Sequence, residues 1–175
     1  MANKTTNKNS IEKTAEEQRL GGIIIKTVSV AIMLAFLFFV YRGADAKDVP
    51  TGDIEAAFQK STGIDKMQKC SPKQLKQFLG LTEDDFDGVI YYKSKEALGV
   101  EEVLVIKAKK QGDIPPVRDA IDRRIDSQEK VFESYGPEQV KLMKNAVITV
   151  KGKYVFYCVD KRADKYEEVF RNAVQ

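Results

Sequence analysis

Residues 146–159, AVITVKGKYVFYCV, decide the fold class. Two β-rich runs, 146–150 and 153–159, flank Lys151-Gly152. A two-residue loop of X-Gly type between β-branched and aromatic runs suits a tight hairpin turn, because Gly reaches the positive φ that such turns require. Upstream, residues 89–93 (VIYYK) and 103–108 (VLVIKA) have the same character, with the turn-like SKEALG between them. The chain therefore carries two hairpins, hence four strands.

Helical patterns surround the hairpins. Val117, Ile121, Ile125, Gln128, Phe132 and Tyr135 step by three or four residues and draw one stripe along a helix over 116–135. Gly136-Pro137 ends it and opens a short helix over 137–144. A last helix over 162–173 buries Tyr166, Val169, Phe170 and Ala173. Ahead of the hairpins, Ile54, Ala57, Phe58 and Ser61 mark a helix over 53–62 with Gly63 as its stop. Ser71-Pro72 is an N-cap followed by Pro at the first helical position, opening a helix to Leu79 that Gly80 closes. Each hairpin precedes a helix, which suggests a duplicated strand–strand–helix unit. The expectation is an α+β domain: an antiparallel four-stranded sheet with the helices packed on one face.

The N-terminal part has a different composition. Leu20 to Tyr41 reads LGGIIIKTVSVAIMLAFLFFVY, 22 residues with one charge, Lys26. About 20 apolar residues span a hydrocarbon core, and this run is apolar all round rather than along one stripe. Lys4, Lys8, Lys13, Arg19 and Lys26 precede its uncharged part, whereas Arg42 and Lys47 follow it among Asp45 and Asp48. The positive-inside rule then puts the N-terminus in the cytoplasm. The expected organisation is a cytoplasmic disordered tail (1–19), a signal-anchor helix (20–41), a linker (42–52) and an extracytoplasmic α+β domain (53–175). Ala44-Asp45-Ala46 also fits a signal-peptidase site, so secretion after cleavage at Ala46 is the alternative to a single-pass anchor in the cell membrane.

Composition narrows the chemistry. The chain has no His, which removes the usual general base and excludes Ser-His-Asp and Cys-His catalysis. Two cysteines cannot build an all-Cys zinc site. Formal charge is +3, and beyond Ala46 there are 23 basic against 22 acidic residues, so no basic field recommends nucleic acid. Walker A, GxGxxG, GxSxG and HExxH sequences are absent. No catalytic residue, metal site or cofactor is expected.

One combination of residues is more specific. Arg124, Gln128, Phe132, Tyr135 and Pro137 form R-x3-Q-x3-F-x2-Y-x-P, followed by Glu138, then Ala146-Val147 and Gly152-Lys153-Tyr154-Val155. This pattern resembles an uncharacterised bacterial family, domain of unknown function 4358, over residues 52–172. The family commonly has Asn where Lys153 stands here. The resemblance implies a small extracytoplasmic protein held by a lipoprotein anchor or one membrane helix, and it implies no activity.

Four sets of side chains are candidates for function. Arg124, Gln128 and Tyr135 share one flank of their helix, and with Tyr154 they form a candidate binding edge for an anionic or peptide ligand. The competing reading is that they tie the helix to its neighbouring loops. Cys70 and Cys158 are a candidate disulfide, which an extracytoplasmic address permits. Glu83, Asp84, Asp85 and Asp87 with Gly88 form an acidic loop that lacks the spacing of a Ca²⁺ loop and reads as a solvated surface. Asp119, Asp122, Asp126 and Glu129 alternate with basic residues as a solvated helix face does. The function expected from all this is a non-catalytic binding module that meets the membrane through 20–41 and an envelope protein or cell-wall component through its outer domain. The alternatives are an envelope enzyme using carboxylate or Tyr chemistry, and a structural subunit of a membrane complex.

Overall fold

The computed structural model describes residues 26–35 and 46–175. Residues 26–35 are helical with exposed side chains. The expected tail, both ends of the expected anchor, and Ala44 and Asp45 of the cleavage tripeptide lie outside the described residues. Among the described residues no helix is long and apolar enough to cross a membrane. The chain divides into two compact units, Met1–Ala44 and Asp45–Gln175.

The second unit runs α1 (Thr51–Ser61), β1 (Gln68–Lys69), α2 (Pro72–Leu79), β2 (Phe86–Lys93), β3 (Glu102–Ala108), α3 (Ile114–Phe132), α4 (Pro137–Lys144), β4 (Val147–Lys151), β5 (Tyr154–Val159) and α5 (Ala163–Ala173). Local chemistry sets several of these boundaries. At the start of α2 the Gln74 amide donates to Ser71 Oγ while the Ser71 amide donates to Gln74 Oε1 (2.9 Å), a reciprocal cap with Pro72 inside it. Gly80, at φ 71°, closes the same helix with its amide on Lys76 O. The β4–β5 turn is shifted one residue from expectation. Lys151 still pairs with Tyr154, so the loop is Gly152-Lys153, with Gly152 at φ 55° in its first position.

The strands form one antiparallel sheet in the order β1-β2-β3-β5-β4. Two expectations need correcting. The sheet has five strands rather than four, because Gln68-Lys69 adds a two-residue edge beside Tyr92 and Lys93. The helices cover both faces rather than one. Tyr91, Leu104, Ile106, Val155, Tyr157 and Val159 face α2, α3 and α4. The alternate residues Ile90, Tyr92, Val103, Val105, Phe156 and Cys158 face α1 and α5. The reason lies in β3 and β5, which are buried almost end to end. A strand covered on both sides is apolar at successive positions, whereas one solvated on a face alternates. The two hairpins do each precede a helix, but α3 and α5 go to opposite faces.

Candidate functional site

β3 begins with a carboxylate. Strand alternation puts Glu102 on the α3 side, in the same row as Leu104 and Ile106. Tyr91 and Tyr157 flank Leu104 across the two ladders. Above them lies α3, whose Val117, Ala120 and Ile121 pack on the sheet. One turn further along, Arg124 replaces the apolar residue and meets Glu102.

Glu102 is 1% exposed and the Arg124 side chain 14%. The Arg124 Nε lies 3.2 Å and 3.3 Å from the two carboxylate oxygens, and Nη2 donates to Oε1. The guanidinium carbon stands 4.8 Å from the Phe78 ring centre, and the Lys93 ammonium 4.7 Å from the same ring. Burial pulls the guanidinium down, but the hydrogen bonds and charge of Glu102 outweigh it and hold Arg124 above its ordinary value. Burial and then the Glu102 charge push the Tyr91 and Tyr157 hydroxyls well up, so both stay neutral. Neither hydroxyl makes a hydrogen bond of good geometry, and Gln128 Oε1 is also buried without a partner. The interior under α3 thus combines one desolvated ion pair with three unsatisfied polar atoms.

The predicted binding edge does not assemble as one surface. Arg124 is spent on Glu102. Gln128 turns its carbonyl inward. Tyr135 lies beyond the end of α3, 57% exposed, with its ring 5.3 Å from Phe132. Tyr154 is on the opposite face, where its hydroxyl accepts from Val49 N and donates to Val49 O, both at 2.7 Å.

The cysteines are also separated. Cys70 packs against the α3 side and Cys158 against the α5 side, and both are free thiols, so the candidate disulfide is not formed. The sheet stands between them. Burial, then the Glu102 charge, pushes the Cys70 thiol up to about 11, and burial raises Cys158 further. Neither is an activated nucleophile. Among the described residues no cluster of three or more His, Cys, Asp or Glu could hold a metal ion.

A second region was not anticipated. The β2–β3 loop and α4 enclose an open groove of about 290 Å³, with Lys161 at its rim. Leu98, 61% exposed, forms its apolar wall. Glu138, Gln139, Lys141 and Asn145 line the opposite side. Glu101 lines it too, and its buried Oε2 has no partner. The sequence signal was a large apolar residue inside the otherwise polar SKEALG turn. Glu102 and the tyrosines carried a signal as well: a carboxylate opening a run as apolar as VLVIKA must find a cation once that strand is buried.

The family described as Domain of unknown function (DUF4358) matches residues 60–160. No match was found among curated proteins or among solved structures. The matched span contains all five strands and α2–α4, ends before α5, and takes in only the last residues of α1.

Proposed function

The chain belongs to this uncharacterised family, and from that premise we propose that it is a membrane-tethered, extracytoplasmic binding module of the bacterial envelope. Residues 20–41 anchor it with the N-terminus in the cytoplasm, and the domain recognises an envelope protein or a cell-wall component. The observation that carries the binding reading is the groove between the β2–β3 loop and α4. It combines the exposed Leu98 side chain with amide, ammonium and carboxylate groups, the mixture that recognises a peptide or a glycan strand.

A general acid or base at neutral pH works best with a pKa near that pH. The chain has no His, and Tyr91, Tyr157, Cys70 and Cys158 are all pushed away from that range. Arg124 and Glu102 neutralise each other beneath a helix. These facts favour recognition over turnover.

The test is site-specific photocrosslinking of the full chain in living cells. A crosslinker at Leu98 or Asn145, in the groove, is expected to give the same discrete adduct, and one at the exposed Arg118 none. The absence of any adduct from the groove positions sinks the binding reading. Protease added to spheroplasts is expected to digest the domain while sparing an N-terminal tag. A protected domain would overturn the address.

A further inference from the structure

Residues 46–49 are bound to the domain rather than forming a free linker. Lys47 N donates to Val174 O at 2.9 Å, and Val49 exchanges two hydrogen bonds with the Tyr154 hydroxyl. The Lys107 ammonium donates to Val49 O at 3.2 Å and pairs with Asp48. Ala46 sits against the β4–β5 turn so closely that a Cβ on Gly152 would stand 2.9 Å from the Ala46 Cβ. The chain therefore enters the domain at one fixed place, beside Gly152.

That place is basic. Lys47 and Lys153 are exposed on either side of the entry point and line a cavity of about 220 Å³ with Lys107 behind them. Lys151 closes β4 next to the turn, and Gln111 Nε2 donates to Gly152 O at 3.2 Å. One carboxylate lines this cavity. Asp48 is held below its usual range by its hydrogen bond to Lys107, with further help from the Lys153 charge. Among the described residues Lys47, Lys151 and Lys153 make no salt bridge.

Between Tyr41, the end of the apolar run, and Ala46 there are five Cα–Cα steps, at most about 18 Å of extended chain. Resting on the membrane-anchored reading above, we propose that the Gly152 turn and the lysines around it are the membrane-facing surface of the domain, where they hold the phosphates of anionic phospholipid headgroups. A lysine near an anionic bilayer raises association about fivefold. The attraction fades over a Debye length of about 8 Å at physiological salt, so the short tether is what makes these lysines effective.

The test uses the full chain in nanodiscs of phosphatidylcholine alone, or of phosphatidylcholine and phosphatidylglycerol in equal parts. Hydrogen exchange at residues 46–49 and 151–154 is expected to slow in the anionic discs only, and high salt should reverse it. The combined variant Lys47→Gln/Lys151→Gln/Lys153→Gln should weaken docking on the order of a hundredfold, with its melting temperature kept as a check on folding. Equal exchange in both lipids, protection that survives in the variant, or the same protection produced by inorganic phosphate over neutral discs would each overturn the proposal. The anchor is tested apart from this by carbonate washing of membranes. If the chain is released, it is added to the same two lipids as vesicles. Binding to the anionic vesicles alone then keeps the basic face while the anchor fails, and binding to neither removes both.

Discussion

On one side of the sheet Phe156 stacks on Phe170 with ring centres 5.0 Å apart, and Phe58, Tyr154 and Tyr166 extend the cluster at 5.9–6.4 Å. On the other side the same sheet holds Glu102 and Arg124, with two neutral tyrosine hydroxyls and a glutamine carbonyl that have no partner. The first face is stabilised by apolar area, which is non-directional, and by ring pairs in tilted, edge and stacked arrangements. The second carries a pair whose attraction mainly offsets the cost of taking two charges out of water. Both faces bury apolar area, but only the second also carries a desolvated ion pair, so substitutions should fail differently on each.

The largest losses are expected at the centres of the two faces. Phe170→Ala should cost about 3–5 kcal/mol in denaturant unfolding. Arg124→Ala should cost about as much, because it strands a buried carboxylate. Most of that second loss should be absent from the double variant Arg124→Met/Glu102→Leu, which removes both charges and keeps the volume filled. A double variant no more stable than Arg124→Ala would show that the pair does more than cancel itself.

The two tyrosines beside the pair predict the alkaline limit of stability. Their folded values lie above the ordinary 10.0. A raised folded value means the protein holds the proton longer than the unfolded chain does. Stability from these groups is therefore complete below pH 10.0 and lost as pH rises toward the folded values. Ultraviolet titration should show Tyr91 and Tyr157 ionising only as the protein unfolds. Ionisation of Tyr91 and Tyr157 before unfolding would mean that the second face is wet.

A smaller effect is expected at Gly152. Its positive φ and the nearness of Ala46 leave no room for a side chain, so Gly152→Ala should cost about 1–3 kcal/mol. Smallest of all are Tyr91→Phe and Tyr157→Phe. Each removes a hydroxyl that makes no hydrogen bond of good geometry, so melting temperatures should hold or rise slightly. A marked loss in either would reveal a partner, such as an ordered water, beneath α3.

What could be read from the sequence was local. The Ser71–Gln74 cap, the stripe along α3 and the Gly152 turn act over a few residues, and each left its signature in spacing. The layering did not, because the choice of face for α1 and α5 depends on contacts far apart in the chain. The continuous apolar runs of β3 and β5 signalled only that both faces of the sheet are covered, since a strand solvated on one face would have alternated. β1 is two polar residues with no pattern to detect. Arg124 was legible as a singular residue, but its partner lies 22 positions away and was hidden at the edge of an apolar run. Tyr154 was legible in the same way, and its bonds to Val49 span 105 positions.

The hydrogen bond from Lys47 N to Val174 O, at 2.9 Å, brings the two ends of the second unit side by side. In topological terms the fold is almost a closed ring. A short peptide could join its ends while new ends are opened in the β2–β3 loop, and the order of the strands in space would be unchanged. For the same reason the domain can be spliced into a surface loop of another protein without stretching either partner.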